Sequence, residues 1–336
     1  MARASDKKIK NRWNYRPDLS DQIAPFYHWP PRIGQTLRYI FDSWGLLGAR
    51  LYVLGLSVLC WHYFSPALER CVEFSADWIA QIWLRNLVVT LLVAGSLHLY
   101  FYAFKKQTDK EKYDHRDLAR NSKLFQFNNQ VWDNMFWVLT SAVAFWTLYE
   151  SLMLWAYASE FASMITFDDN PIWFIVCLLI IPLWTGFHFY WQHRMFHIPV
   201  LYKLAHYLHH KNTNVGPWSG PAMHPIEHSV WLSAVLILLL VPSHPIHTLF
   251  IIHIQMITAI TSHCGYENLI VGKHIKFRLG DFFHQLHHRF YDCNYGTFET
   301  PWDQWFETYH DGSTEGDEWM KKRRQQLTEC NQRLFN

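Results

Sequence analysis

The sequence has few of the features that hold small disulfide-rich or zinc-ribbon proteins together. Its six cysteines are widely spaced and no Cys-x-x-Cys pair occurs. This spacing does not predict a disulfide framework or a structural zinc site, and buried reduced cysteines are the expected alternative. The formal net charge of the 336 residues is only +2, so the composition favours no nucleic-acid partner.

Signatures of several cofactors and hydrolases are also missing. There is no Gly-x-Gly-x-x-Gly segment, no haem-binding or flavin-binding segment and no His-Glu-x-x-His motif. The last of these would supply the general base of a zinc hydrolase. The first 20 residues are basic and polar without a following apolar stretch, which is not typical of a secretory signal peptide.

Apolar residues are instead concentrated in blocks, although the mean hydropathy of the chain is near zero. A membrane-spanning helix needs about 20 mostly apolar residues. Four segments are that long: 46–64, 84–104, 134–158 and 172–191. Two shorter runs, 230–241 and 247–263, flank Pro-Ser-His-Pro and predict a short apolar hairpin that enters the membrane and returns. The sequence therefore predicts an all-α integral membrane helical bundle.

The connections between these segments alternate in charge. The first 45 residues and segment 105–132 are rich in Lys and Arg, whereas 159–171 has neither. Because cytoplasmic loops carry the excess of basic residues, the N-terminus, 105–132 and everything after about residue 190 are predicted to be cytoplasmic. A soluble protein with buried helices is the alternative, and the alternating loop charge disfavours it.

Histidine is the unusual residue of this chain, since 17 of its 21 histidines lie between residues 188 and 310. They form four spaced clusters: "HRMFH" from 193, "HYLHH" from 206, "HPIEH" from 224 and "HQLHH" from 284. Residues three and four apart share one face of a helix, so each cluster is expected to project its imidazoles in one direction. Imidazole is a common ligand for iron, zinc, copper and nickel.

Three of the clusters supply enough ligands for two metal ions. The eight candidates are His193, His197, His206, His209, His210, His284, His287 and His288. Without a metal, so many packed imidazoles would repel one another when protonated, and each would need hydrogen-bond partners when neutral. We expect His263 as a ninth ligand, because it lies where the apolar hairpin returns to the cytoplasm.

The remaining histidines are open to other interpretations. His224 is a further candidate ligand, and His188 and His228 suit roles beside the ligands. His244, His247 and His253, in or beside the hairpin, are expected to line a pore or to lie at the membrane interface. A single histidine on an apolar face is usually a hydrogen-bonded core residue.

Carboxylates are scarce around these clusters. Soluble di-iron bundles build their sites from Glu together with Glu-x-x-His. Here the motif segments contain only Glu227, Glu267, Asp281 and Asp292. The sequence therefore predicts a metal site made almost entirely of nitrogen ligands.

At these residues the chain resembles the sterol desaturase and fatty acid hydroxylase superfamily of membrane di-iron oxygenases. The resemblance covers about residues 172 to 310. It is carried by "YWQHRMFH", "LYKLAHYLHHKN", "PWSGPAMHPIEH", "TSHCGY" and "FHQLHHRFYDCNYGTFETPWDQWF". The last of these contains the family's Asn-Tyr-Gly and Trp-Asp signature, here Asn294, Tyr295, Gly296, Trp302 and Asp303.

The apolar segments, the loop charges and the resemblance over 172–310 together predict a division of the chain into four parts. These are a cytoplasmic N-terminal segment 1–45, transmembrane helices and loops 46–171, a catalytic domain 172–310 and a cytoplasmic tail 311–336. The resemblance also implies a cytoplasmic, His-rich helical cap that holds two iron ions by the eight histidines, with His263 and His224 as additional ligands. Purified protein could carry zinc instead.

The resemblance further implies an O2-dependent hydroxylase or desaturase of a lipid, and the motifs favour a sterol or sterol-like substrate. Its electrons would come from cytochrome b5 or from a ferredoxin with its reductase. The protein would lie in the endoplasmic reticulum membrane of a eukaryote or the inner membrane of a bacterium. Two departures from the family pattern are Phe306-Glu307-Thr308, where Phe-Gly-Thr is common, and the lack of an acidic residue before the first motif, where His188 is the nearest ionisable group.

Other functions remain as alternatives. A fatty acyl or sphingolipid hydroxylase of the same superfamily would carry the same motifs. A membrane zinc enzyme or metal transporter would spread ionisable residues through its spanning helices, whereas here the histidines follow the fourth span. A non-catalytic membrane protein of this fold would have lost some of the eight positions, and all are intact.

Overall fold

The structure is a computed structural model of the chain. It describes residues 13–17, 19, 25–27, 29–30, 32–41, 46–272, 275–297 and 300–334. The basic residues of segment 1–12, which contribute to the predicted orientation, lie outside the described residues. So does His28.

The described part of the chain is mostly helical. Short 3-10 turns occur at Pro25–Tyr27 and Leu68–Val72. The helices are α1 (Ile33–Phe41), α2 (Leu46–Phe64), α3 (Ala76–Ala103), α4 (Gln130–Ala158), α5 (Pro171–Phe196), α6 (199–210), α7 (Pro225–Leu239), α8 (Pro245–Ser262), α9 (Phe282–Phe290), α10 (Trp302–Trp305) and α11 (Thr314–Leu334). Between α8 and α9, strands β1 (Asn268–Val271) and β2 (Ile275–Arg278) pair antiparallel.

The predicted all-α membrane bundle is confirmed. Four described helices, α3, α4, α5 and α8, are long and apolar enough to cross a membrane by length and composition. Their outward faces remain apolar, as at Leu92, Ile172 and Leu179. Large exposed apolar surface of this kind marks contact with lipid or another protein.

The structure differs from the predicted segments at α8, at α7 and at the β hairpin between α8 and α9. The first predicted span forms α2, but the second arm of the predicted hairpin is a full 18-residue helix, α8. The first arm, α7, is shorter and finishes as a 3-10 helix over Leu232–Leu239. The small β hairpin after α8 was not predicted, because each strand has only four residues and the Asn-Leu-Ile-Val sequence of β1 does not alternate apolar and polar residues.

Local capping signals set the starts of the helices that position the histidines. At α5, the Asn170 side chain accepts a hydrogen bond from the Trp173 amide. Residue 244 is a histidine that caps α8 by accepting from the Ile246 amide. At α9, the Asp281 side chain accepts from the His284 amide. Each cap satisfies amides that would otherwise lack a partner at a helix start.

The connections lie at two opposite ends of the bundle. At one end, segment 105–132 packs against the chain after α6, where Asn214 Nδ2 donates to Arg116 O at 3.0 Å and Gln130 Nε2 donates to Asn214 O at 2.7 Å. At the other end, Ser243 bonds the backbone of Ser163 in the α4–α5 connection. The basic segment 105–132 therefore shares its end of the bundle with the histidine clusters, as the alternating charge requires.

Two hydrophobic cores flank that end. The larger lies among α2 to α8 and includes buried Trp146, Trp231 and Phe250. The smaller lies under α9 and includes Tyr113, Phe282 and Met320. The histidine clusters lie between the two cores. One side of α9 packs on the smaller core, and its other side faces the helical bundle.

A buried polar network joins α3 to α4 inside the bundle. Arg85 is paired with Glu150, and both side chains are almost fully buried. Asn86 Oδ1 also accepts from Arg85 Nη2 at 2.9 Å. Removing one member of a buried ion pair typically costs about 3–5 kcal/mol, because the other charge is left uncompensated. The network thus fixes the register of the two helices.

Candidate metal centre

Three helical segments and one helix end bring nine histidines together. His193 and His197 lie at the C-terminal end of α5, three more follow on α6, and three lie on α9. His263 is the residue that ends α8. All nine side chains are buried except that of His197, which is half-buried.

Their ligand atoms form two groups, in each of which all the atoms lie within 4.8 Å of one another. The first group is His193, His197, His206, His210 and His287. The second group is His209, His263, His284 and His288. The structure thus brings together all eight motif histidines and His263.

Each His-x-x-His-His motif is divided between the two groups. In α6 the outer pair, His206 and His210, belongs to the first group and His209 to the second. In α9 the arrangement is reversed, with His287 alone in the first group. Successive residues turn by about 100° around a helix, so positions i and i+4 nearly align while i+3 lies about 60° to one side. One motif can therefore serve two neighbouring sites, rather than projecting all its imidazoles in one direction as we expected.

The spacing of the nitrogens fits bound metal ions. Nε2 atoms face one another at 3.1 Å between His197 and His206, and at 3.0 Å between His210 and His287. In the second group, His263 and His288 are related in the same way at 2.9 Å. Imidazole ligands bind metals such as zinc at about 2.0–2.1 Å, so two ligands at right angles would lie about 3 Å apart. The groups therefore match a metal that prefers imidazole, such as iron or zinc.

Hydrogen bonds to Nδ1 fix the tautomer of several of these rings. His193 Nδ1 lies 2.7 Å from Tyr295 O, His263 Nδ1 lies 2.8 Å from Ala259 O and His287 Nδ1 lies 2.6 Å from Cys293 O. A carbonyl oxygen can only accept, so each Nδ1 carries the proton and donates it. Each Nε2 is then left with a lone pair directed into its group. The Nε2 of His193, buried and without a protein partner, is one example.

For His206, the acceptor at Nδ1 is a carboxylate instead of a carbonyl. His206 Nδ1 lies 2.7 Å from Oε1 of buried Glu227 in α7. Such a carboxylate orients a metal-ligating imidazole and raises its basicity. Sequence reasoning did not assign this role to Glu227, although its position in "HPIEH" among so few carboxylates was the available signal.

Burial keeps these imidazoles in the form that binds metal. Removal from water, reinforced by the neighbouring imidazoles, lowers the pKa of His209, His284 and His288 well below the usual range. Burial also lowers the pKa of His263 to about 4. Desolvation disfavours the charged imidazolium, so these rings are neutral at physiological pH and their nitrogens are free to act as ligands.

The signature residues after α9 build the loop that holds two of the histidines, His193 and His287. Asp303 accepts hydrogen bonds from the amides of Tyr295 and Gly296 at 2.8 and 2.7 Å. Asn294 Nδ2 donates to Phe283 O at 3.0 Å, which ties the loop back to α9. These bonds fix the Cys293 and Tyr295 carbonyls that bind the imidazoles. The backbone of Tyr295 therefore orients the first ligand, in place of the acidic residue missing before the first motif.

The departure at Phe306-Glu307-Thr308 has a local consequence. Glu307 has a φ of 54°, in the left-handed region that suits glycine better than residues with a Cβ. This explains why a glycine is common at that position.

The structure does not bring every candidate into the groups. His224 instead caps α7, where its Nδ1 accepts from the Ile226 amide. His188 Nε2 lies 3.2 Å from Ser233 Oγ, and His228 bonds Ser141 and the carbonyl of Pro221. Within the described residues, no carboxylate belongs to either group.

A cavity leads from the bundle to both groups. Its walls come mainly from α5, α7 and α8, and the space between them, counted together with the open solvent at its mouth, is about 720 Å³. Apolar side chains such as Phe189, Met223 and Ile254 line it. At its inner end lie five of the nine histidines: His193, His206, His209, His263 and His284. An apolar space of this kind with a few polar groups at one end is typical of a small-molecule site.

Comparison with known proteins agrees with the resemblance seen in the motifs. Residues 174–308 match the model of the fatty acid hydroxylase family. A protein of Arabidopsis thaliana named "Putative Delta(7)-sterol-C5(6)-desaturase 2" is 27% identical over 240 residues, 67% of this chain and 78% of that protein. The similarity to the sterol desaturase and fatty acid hydroxylase superfamily is therefore confirmed.

Two other relatives match over less of their length. The Delta(7)-sterol 5(6)-desaturase of Eremothecium gossypii is 31% identical over 160 residues, which is 46% of this chain and 44% of that protein. Human fatty acid hydroxylase domain-containing protein 2 is 32% identical over 132 residues, 37% of this chain and 36% of that protein. No solved structure matches the chain.

Proposed function

We propose that this protein is a membrane di-iron oxygenase that hydroxylates or desaturates a C–H position of a lipid, using O2 and electrons from an external donor. A sterol or sterol-like lipid is the favoured substrate class. One observation carries the proposal: an apolar cavity among membrane-type helices ends on two adjacent groups of buried, neutral histidines.

The donor set supports iron at both groups. Nine imidazoles whose ring nitrogens converge in two groups suit iron, and within the described residues neither group contains a carboxylate. When bound, two iron ions would supply O2 activation and oxidation of an unactivated C–H bond.

The protein's own residues would hold the imidazole rings in place, orient the lipid and keep water out of the cavity. The carbonyls of Ala259, Cys293 and Tyr295 fix the rings of three ligands. Apolar walls exclude water and align the lipid, and this alignment would decide between an alcohol and an alkene product, because reactivity depends on which C–H bond is held close.

The sterol preference is supported by similarity to proteins named as sterol desaturases, which covers two thirds of the chain in one case. A second candidate is an acyl-chain hydroxylase of the same superfamily, favoured by the family model that matches residues 174–308 and by the human relative.

Electrons and location complete the proposal. Motifs for an internal redox cofactor are missing from the sequence, so a cytochrome b5, or a ferredoxin with its reductase, would supply the electrons. The basic segment 105–132 lies at the same end of the bundle as the histidines, which supports a cytoplasmic active site. The membrane would be the endoplasmic reticulum in a eukaryote or the inner membrane in a bacterium.

The test compares lipids from membranes that contain the wild-type protein with those that contain the double variant His210→Ala, His288→Ala, which removes one ligand from each group. A reductase system is co-expressed, and sterols and acyl lipids are supplied. We expect an oxidised lipid only with the wild type, together with about two iron atoms per chain. His228→Gln is the matched control, because His228 is buried but belongs to neither group. Identical lipid profiles for wild type and double variant would refute the oxygenase function.

A further inference from the structure

Gln255, Glu227 and Thr297 line the cavity, and each has a buried oxygen without a hydrogen-bond partner among the described residues. Gln255 of α8 is 6% exposed and lines the cavity. Its Nε2 donates to the carbonyl of Trp231. Its Oε1 is buried and accepts no hydrogen bond within the described part of the chain.

The Trp231 carbonyl determines which way this amide points. A carbonyl only accepts, so turning the amide over would set two oxygens against each other and leave the NH2 group unpaired. Oε1 is therefore held as a pure acceptor. Buried acceptors are nearly always satisfied, since leaving one without a donor is costly. A ligand that donates to Oε1 would remove that cost.

We propose that Gln255 accepts a hydrogen bond from a hydroxyl group of the lipid substrate, so that the cavity selects lipid alcohols. The inference deepens the proposed function and rests on it, because it takes the cavity as the substrate's. An acceptor repels the oxygens of a carboxylate or phosphate and attracts an O–H donor. The cation of the cavity wall, Arg50, donates from Nη1 to the neighbouring Thr258 Oγ1 at 2.8 Å, so the octadecanoate arm of the test below decides between an anion and an alcohol.

The position of Gln255 also limits which carbon is oxidised. Gln255 and His263 are eight residues apart along α8, which corresponds to about 12 Å. A hydroxyl held at Gln255 would thus set the reacting carbon roughly 12 Å away, next to the histidines. Gln255 is in this sense a positioning and specificity residue, whose side chain touches the substrate far from the bond that changes.

The test measures binding to the purified full chain in lipid nanodiscs, without turnover. The probes are cholesterol and 1-octadecanol, each paired with its methyl ether, and octadecanoate. We expect the wild type to bind at least one of the alcohols about ten- to a hundredfold more tightly than its ether. Gln255→Met, which keeps the side chain's length, should abolish that ratio. Thr258→Val, one turn away in the same wall, should preserve it.

Three outcomes would overturn the inference. They are an alcohol-to-ether ratio near one for the wild type, an unchanged ratio in Gln255→Met, and octadecanoate binding that exceeds alcohol binding and ignores Gln255→Met. Metal content and the melting temperature show whether Gln255→Met is folded, and if it is not, the wild-type ratio alone decides. Failure of the proposed function has a different signature, since a wild type that oxidises no lipid could still show the alcohol preference.

Discussion

Two sets of buried histidines, one inside the helical bundle and one in the nine-histidine centre, differ in the hydrogen-bond partners of their ring nitrogens. In the bundle, His228 donates from Nε2 to Pro221 O and receives a hydrogen bond at Nδ1 from Ser141. His247 similarly bonds Phe174 O through Nε2 and the His244 amide through Nδ1. In the nine-histidine centre, Nδ1 is bonded to a carbonyl or carboxylate in four of the rings, and in three pairs of rings the Nε2 atoms face each other.

The comparison teaches that burial and residue type do not identify a metal ligand. Both sets are buried and both lie on helices with histidine spacings of three or four residues. In the centre, ring nitrogens with lone pairs face one another, and in four rings an acceptor at Nδ1 fixes Nε2 as the nitrogen that does so. That arrangement calls for a cation. In the bundle, ordinary hydrogen-bond partners satisfy both nitrogens of His228 and His247.

The largest difference should appear when one histidine of each set is replaced in turn. His288→Ala removes a ligand whose Nε2 lies 2.9 Å from that of His263. We expect loss of metal from the second group and a fall in lipid oxidation of about a thousandfold or more, because the loss of one ligand disables the centre. His228→Gln should keep both metals and most of the activity. Metal analysis and product formation measure the two effects, and equal metal content in the two variants would erase the distinction.

Acidification should destabilise the metal-free protein strongly. The pKa of His209, His284 and His288 lies well below the usual value near 6.5, because burial disfavours their charged form. The unfolded chain therefore binds more protons than the folded one below about pH 6.5, and stability falls as pH falls. The expected loss is about 1 kcal/mol per histidine for each pH unit below 6.5.

Chemical unfolding of the chelated protein at pH 7.5 and pH 5.5 measures this loss. The metal-loaded protein is the control, because bound metal also holds the rings in their neutral form. A metal-free protein equally stable at both pH values would contradict the assignment of these rings as neutral.

A smaller effect should follow from changing the partner of a ring in the centre. Glu227→Gln removes the negative charge that His206 Nδ1 faces at 2.7 Å, while keeping the side chain's shape. We expect metal affinity to fall by about ten- to a hundredfold, as for other groups that orient metal ligands. Competition with a chelator measures the affinity. The melting temperature of the metal-free protein should change little, and a stability loss without a change in affinity would make Glu227 a packing residue.

Sequence patterns identified the histidines that the structure brings together, because helical spacing is local. The eight motif histidines could be assembled from intervals of three and four residues, and His263 from its place at the end of an apolar run. The division of each motif between two groups could not be read, because it depends on how α6 packs against α9. The carbonyls of Cys293 and Tyr295 were also hidden, since backbone acceptors leave no side-chain signal.

His224 shows the converse limit. Its spacing from His228 matches that of His193 and His197, so the pattern alone could not separate them. In the structure, Pro225 begins α7 and His224 becomes the cap of that helix. A helix start turns the side chain toward its own backbone, which spacing does not reveal. The hydroxyl acceptor Gln255 was missed for a related reason, because one polar residue in an apolar helix reads as a core residue until a cavity is seen beside it.

The smallest expected effect mirrors the change at Glu227 on the bundle side. Ser141→Ala removes the hydroxyl that lies 2.8 Å from His228 Nδ1. Because Pro221 O can only accept, Nε2 of His228 carries the proton, and Nδ1 is left as a buried acceptor without a donor. The free energy of unfolding should fall by about 1 kcal/mol, the usual effect of one lost hydrogen bond.

Metal affinity and lipid oxidation should be unchanged in Ser141→Ala, and Ser141→Cys should recover part of the stability because a thiol is a weak donor. Unfolding curves and chelator competition on both variants measure the two quantities. Loss of the partner of a buried histidine would then reduce metal affinity in Glu227→Gln, but only the free energy of unfolding in Ser141→Ala. If Ser141→Ala also weakened metal binding, the bundle histidines would be coupled to the nine-histidine centre. The hydrogen-bond partners of the ring nitrogens would then no longer distinguish the two sets of histidines.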